Sequence, residues 1–233
     1  MNEDLNFETY LSLSPKKLII SVQNDLNKKV FEKDLILDQN EKQSVFDKLD
    51  NFLNKNIFEI EKKIKFFVKK ISVILDLDEF LSVEISIKKR NYENKINLTS
   101  LNHMLNDIKD YCKETIGENK IVHIIISNYK VDNRDFASLP LNINCKSFSI
   151  DVNFLCISQN IIKNLEIILK KYHISLGEIL SAQYISEFSN EEKTDLFIMA
   201  KKILEGHNPN EVLMVNKTYQ NRGFFEKFFN FFS

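Results

Sequence analysis

Six phenylalanines near the end of the sequence have a spacing that commits to one chemistry, and it is partition out of water rather than catalysis. Residues 223–233 read Gly-Phe-Phe-Glu-Lys-Phe-Phe-Asn-Phe-Phe-Ser. At about 100° per residue on a helix, Phe224, Phe225, Phe228, Phe229, Phe231 and Phe232 fall within an arc of roughly 160°. Glu226, Lys227, Asn230 and Ser233 fill the opposite side. Burying one Phe side chain gains roughly 1.5–3 kcal/mol, and ordering a short peptide takes back part of that gain. The balance predicts reversible attachment to a bilayer surface, in a segment too short to cross one. Arg222, Lys217 and Lys227 add a mild positive bias that suits anionic lipid. Residues 216–222 are polar apart from Tyr219 and read as a tether. The alternative is a terminal helix docked in a groove of its own domain or of a partner protein.

Elsewhere the residues that do chemistry are dispersed. His103, His123, His173 and His207 have no metal-ligand spacing, and His123, inside an apolar run, is expected to be a hydrogen-bonded core histidine. There is no glycine-rich phosphate cradle. Ser12, Ser14 and Ser21 lie near the first turn with no base beside them. Asp76, Asp78 and Glu79 read as a solvated loop, and Asp132 and Asp135 flank a turn. Cys112, Cys145 and Cys156 are odd in number and read as buried, reduced thiols. Neither catalysis, a cofactor nor a metal is therefore expected. With 32 basic and 33 acidic residues, no field draws nucleic acid. The 233 residues, 43% hydrophobic, suffice for one or two globular domains. The acidic amino terminus lacks the apolar run of a signal peptide.

The elements that must position these residues follow from periodicity. Residues 10–14 and 17–22 read as strands around a turn at Pro15, and 30–37 as a third. A helix is expected from Asn51 to Leu75, with Ile57, Ile60, Ile64, Phe67, Ile71 and Ile74 on one face. Leu81–Lys88 alternates as a half-buried strand. Thr99 or Ser100 is expected to cap a helix facing the core with Leu101, Met104, Leu105, Ile108 and Tyr111, ended by Gly117. Strands follow at 121–131 and 148–156, around a loop at Pro140. Next come a helix capped by Ser158, a strand from 174 to 185, and a helix from 191 to 204. The fold class expected is mixed α/β, with 99–172 as a subdomain inserted into another.

With this layout, several segments resemble the bacterial cell-division FtsA family of actin-like proteins. Leu11-Ser12-Leu13-Ser14-Pro15-Lys16-Lys17 matches the family's first phosphate loop, Leu-Asp-Ile-Gly-Thr-Ser-Lys. His123-Ile-Ile-Ile-Ser-Asn-Tyr129-Lys-Val-Asp132 matches a strand of the inserted SHS2-like module. Pro140, Asn164-Leu165, Ser181-Ala182-Gln183-Tyr184 and Gly223-Phe224-Phe225 follow in the family's order. The resemblance implies an actin-like ATPase-fold subdomain (1–90 plus 173–206) and an inserted subdomain (91–172). A linker (207–222) and an amphipathic membrane helix (223–233) complete it. Ser12 stands where the family has a metal-positioning acid, and Ser14-Pro15 where it has Gly-Thr. The loop Ser12, Ser14, Lys16 is therefore a degenerate one, with no nucleotide expected. The family's second phosphate loop and FtsZ-contacting subdomain have no counterpart here, so direct FtsZ tethering is not expected. What the resemblance implies is a non-catalytic adaptor on the cytoplasmic face of the inner membrane at the division site. Residues 91–172 would meet division proteins or other protomers. The alternatives are a soluble adaptor whose Phe tail docks on a partner and a pilus-assembly-type actin-like protein.

Overall fold

The computed structural model describes residues 7–38, 44–189 and 195–213, which build a mixed α/β fold. In chain order the elements are β1 (Phe7–Leu13), β2 (Lys17–Asn24), β3 (Lys29–Ile36), α1 (Val45–Ile64), β4 (Lys70–Leu75), β5 (Leu81–Arg90) and α2 (Leu98–Thr115). They continue with β6 (Asn119–Val131), β7 (Arg134–Phe136), β8 (Ser147–Ser158), α3 (Gln159–Lys171), β9 (Ser175–Ser181), α4 (Ala182–Phe188) and α5 (Leu196–Leu204). Two compact units share them. Unit 1 comprises the described residues within Met1–Leu81, Ile116–Val122 and Leu155–Lys201; unit 2 comprises those within Ser82–Thr115, His123–Phe154 and Lys202–Ser233.

Unit 1 holds a five-stranded sheet in the order β3-β2-β1-β4-β9. The first three strands form an antiparallel meander, and β4 and β9 run parallel to β1. Parallel neighbours need crossovers, which α1 and α3 supply. Leu11, Leu13, Leu18, Ile20 and Val22 pack in one core with Leu49, Leu53 and Ile60 of α1 and Leu165 and Leu169 of α3. On the sheet's second side, Tyr10 meets the Phe197 ring at 6.1 Å between centroids, and Lys201 reaches Glu8 at 3.4 Å.

The expected helix 51–75 is two elements. Ser44 caps α1, its Oγ accepting from the Asp47 N–H (3.2 Å). The helix stops where Lys65 turns left-handed (φ 61°) and donates its N–H to the Glu61 carbonyl. Beyond it Ile71-Ser-Val-Ile is a β-branched run, and Ile71, Val73 and Leu75 enter the core as strand β4. Ile71 and Ile74 fit a three-and-four spacing only by coincidence. The expected strand 174–185 likewise ends at Ser181, whose hydroxyl accepts from the Tyr184 N–H and starts α4. Helix α5 begins at Leu196 behind Asp195, whose carboxylate accepts from the Phe197 N–H. Residues 190–194, in the helix expected from 191, lie outside the described residues.

Helix α3, expected in the inserted subdomain, belongs to unit 1. Its apolar face joins the unit 1 core, and Asp50 of α1 accepts from Lys171 Nζ at 2.7 Å and from the Tyr172 hydroxyl at 2.9 Å. Lys171 holds the Asp50 carboxyl below the usual carboxylate range. Burial, then Asp50, pushes Tyr172 up to about 12.

Unit 2 is built on the sheet order β5-β8-β6-β7. Along β8, Phe148, Ile150, Val152 and Phe154 are buried and the residues between them are half-buried. Helix α2 buries Leu101, Met104, Ile108 and Cys112. Tyr111, expected on that face, is 61% exposed, and Cys112 takes the core position. The capping side chain is Asn97 rather than Thr99 or Ser100: its Oδ1 accepts from the Ser100 N–H at 2.8 Å.

Candidate functional site

The turn between β1 and β2 is where the resemblance puts a phosphate loop, and two of its backbone donors are already engaged. The Ser14 N–H donates to the Lys17 carbonyl (3.0 Å). The Lys17 N–H donates to Ser14 Oγ, also at 3.0 Å, and that hydroxyl is within reach of the Lys17 carbonyl. Pro15 has no N–H. A phosphate cradle needs converging N–H groups, and this turn spends those of Ser14 and Lys17 on closing the hairpin. Ser12 is buried, in register between Ile19 and Ile74, with no carboxylate to position a metal. Lys16 is exposed, and its carbonyl accepts from the Leu37 N–H. A nucleotide phosphate with its metal does not fit these residues.

The residues that carry the inserted-module resemblance have structural positions in unit 2. His123 is 3% exposed, and its Nδ1 lies 2.7 Å from a carboxylate oxygen of Glu211, itself 3% exposed. Tyr129 is buried, which pushes its phenol up to about 12. Asp132 and Asn133 are both left-handed (φ 46° and 70°), as a two-residue hairpin turn requires. The Asp132 carboxylate accepts from the Ser147 and Lys146 N–H groups at 2.8 and 3.0 Å, bonds that hold it below the usual carboxylate range. The pattern is thus a signature of packing and turn formation.

Glu211 was legible only as part of a linker, 207–222, and the structure corrects the first part of that assignment. Glu211 forms an antiparallel bridge with Ile125, the Ile126 N–H donates to the Asn210 carbonyl, and the Val212 N–H donates to the Ile124 carbonyl, both at 2.8 Å. The segment occupies the edge of β6 that the three-residue β7 leaves open. The overlooked signal was a short apolar run, Val212-Leu-Met-Val, behind an acid able to meet the buried histidine. Arg222, Phe224, Phe225, Lys227, Phe228, Phe229, Phe231 and Phe232 lie outside the described residues, as does the rest of 214–233. Among the described residues, no helix is long and apolar enough to cross a membrane.

A polar row runs over the strands of unit 2. Ser86 of β5 donates to Asp151 of β8 (2.6 Å), and Asn128 of β6 donates to Asp151 (3.2 Å) and to Asp135 of β7 (2.9 Å). This face is solvated, as one side of a sheet commonly is. At one end of the strand order, β5 exposes every second side chain from Ser82 to Arg90 and buries none fully.

No protein-family model and no curated protein matches the sequence. Solved structures do. The PilM–PilN type IV pilus biogenesis complex is similar at 8% identity over 78% of this chain and 49% of that one, with a TM-score of 0.49. The cytoplasmic domain of EpsL, an inner-membrane component of the type II secretion system of Vibrio cholerae, is similar at 8% identity over 77% and 59%, TM-score 0.37. A Bacteroides thetaiotaomicron protein of actin-like ATPase fold and unknown function is similar at 12% identity over 78% and 55%, TM-score 0.35. The first two belong by name to pilus biogenesis and secretion rather than to cell division. The chain spans about half the length of the solved chains it matches.

Proposed function

We propose that this protein is a non-catalytic adaptor, attached to a membrane surface by its Phe-rich tail and offering unit 2 to a protein partner. The observation that carries the reading is the β1–β2 turn, whose Ser14 and Lys17 N–H groups serve the turn itself. Without a cradle or an acid, unit 1 serves as a scaffold. Unit 2 offers β5, an exposed strand edge of the kind that accepts an extended peptide. The partner in this reading is a component of a membrane-associated assembly of the pilus or secretion type; the division machinery is the competing choice.

Two measurements test it. Mg-ATP should leave the melting temperature of the full chain unchanged, and a saturable upward shift would refute the non-catalytic part. The chain should sediment with anionic liposomes, and Phe225→Glu with Phe228→Glu should abolish most of that binding without altering the melting temperature. If those changes lower the melting temperature by several degrees, the rings pack on protein and the soluble docking reading replaces the anchor. Crosslinking in cells to pilus or secretion proteins, as against division proteins, identifies the machine.

A further inference from the structure

The end of α1 and the loop into β4 carry three exposed rings among lysines. Phe58 is 76% exposed, Phe66 56% and Phe67 80%. The core positions of this stretch are filled by Ile60, Ile64 and Val68, each buried, so the rings are surplus to packing. Phe66 lies 5.8 Å from the half-buried Phe7 ring, and Phe67 has no ring neighbour among the described residues. Lys55, Phe58, Lys62 and Lys65 follow one another at steps of three and four, a single ridge of the helix surface. Scattered exposed apolar residues are ordinary; three exposed rings within ten residues, two of them adjacent, are a local concentration.

Charge decides what the patch fits. From Phe58 to Lys70 there are five lysines (62, 63, 65, 69, 70) and two glutamates (59, 61), and five minus two is a net +3. Both glutamates are engaged: Glu59 by Lys33 at 3.1 Å, and Glu61 by the Val68 N–H at 3.0 Å. Lys63 sits over the Phe31 ring and Lys70 reaches Glu178 at 3.5 Å. The side chains of Lys62, Lys65 and Lys69 have no ionic partner among the described residues. Exposed rings flanked by unpaired ammonium groups match an anionic lipid surface: rings enter the acyl boundary and lysines meet headgroup phosphates.

We propose that Phe58, Phe66 and Phe67 with Lys62, Lys65 and Lys69 form a second lipid-contact site, on unit 1, for anionic membrane. The inference deepens the membrane-attached reading above, but the site binds through its own residues. It makes attachment two-point, so each contact multiplies the other's effect.

The test is sedimentation of the full chain with vesicles of phosphatidylcholine alone or mixed with phosphatidylglycerol. Four proteins are compared: wild type, Phe67→Ser with Lys65→Gln and Lys69→Gln, the tail variant Phe225→Glu with Phe228→Glu, and the two sets combined. Phe58→Ser, on α1, is a second, independent variant of the same site and is grouped with the loop variants. The loop variants should bind phosphatidylglycerol vesicles about tenfold more weakly than wild type, with an unchanged melting temperature and little binding to neutral vesicles in either case. The combined protein should bind least. Loop variants that bind like wild type would overturn the site, while a loss confined to the tail variant would still support the anchor. A tail variant that binds like wild type beside a weakened loop variant would refute the anchor and leave this site standing. If the loop changes weaken binding to heparin but not to vesicles, the patch serves a soluble polyanion and the lipid proposal fails.

Discussion

In the five-stranded sheet of unit 1, every residue of β1 from Thr9 to Leu13 is buried, whichever way its side chain points. In the four-stranded sheet of unit 2, β8 alternates between buried and half-buried along most of its length. The contrast is between a sheet whose central strand is hidden on both sides and a sheet hidden on a single side. Its consequence shows in the polar residues. Unit 2 sends Ser86, Asp151, Asn128 and Asp135 to the solvated face, where they bond to one another. The centre of the unit 1 sheet has no such outlet: Ser21 and Gln23 of β2 are 0% and 1% exposed, and Ser21 Oγ and Gln23 Oε1 have no hydrogen-bond partner among the described residues. A sheet wrapped on both sides suits a scaffold, and a sheet with one free face and a free edge suits exchange with partners.

The largest expected effect breaks the contrast in unit 2, at the buried contact between His123 and Glu211. His123→Ala and Glu211→Ala each remove a buried 2.7 Å hydrogen bond, and each should cost about 3 kcal/mol or more in urea denaturation. The double change to leucine at both positions should cost less than the two single losses summed, because neither polar group is left facing a missing partner. Additive losses would show that the pair is not coupled. Next, Leu165→Ala on α3 should cost about 2–5 kcal/mol. Hydrogen exchange should then rise in β1 and β4, whose residues share its core; exchange rising instead in α2 would return α3 to the inserted subdomain. Gly177→Ala on β9 comes third. Its added Cβ would stand 2.7 Å from Ser72 Oγ and 2.9 Å from the Ile71 carbonyl oxygen, and displacing strand backbone should cost about 1–3 kcal/mol.

A smaller effect sharpens the same contrast. Ser21→Ala removes an unpaired buried hydroxyl and should be neutral or stabilising by up to about 1 kcal/mol, whereas removal of a bonded hydroxyl is destabilising. A clear loss of melting temperature would mean that Ser21 is satisfied. The smallest effect lies in pH. Tyr172, raised by burial and by Asp50 to about 12 in the folded chain, contributes stability that is whole below pH about 10 and declines as pH rises towards about 12. Asp50, lowered by Lys171, works in the opposite sense. Its contribution is present above the ordinary carboxylate range and is lost as pH falls through its lowered folded value. Asp50→Asn should flatten the acid-side slope of a melting-temperature profile.

The contrast also explains what could be read beforehand. Alternation in Leu81–Lys88 and Phe148–Cys156 is visible because one face is wet, and both strands are present where that period put them. Ile71–Leu75 is apolar on nearly every residue because both faces are covered, so helical and extended periods fit equally well, and the helix was extended too far. Pairing across distance was not legible: nothing local in Glu211 declares a partner 88 residues earlier in the chain. The β1–β2 turn was legible as a departure in residue type, Ser14-Pro15 for Gly-Thr. That its own hydrogen bonds close it required coordinates.

The bridge at Glu211 also sets a tape measure. Because the chain is fastened to β6 as far as Val212, the number of residues between that fastening and the Phe-rich stretch is set by 214–222 rather than counted from the end of α5. At full extension those residues reach about 30 Å. If the Phe-rich stretch is an anchor, that span caps how far the histidine strand can stand from it, and inserting residues between 213 and 223 would raise the cap.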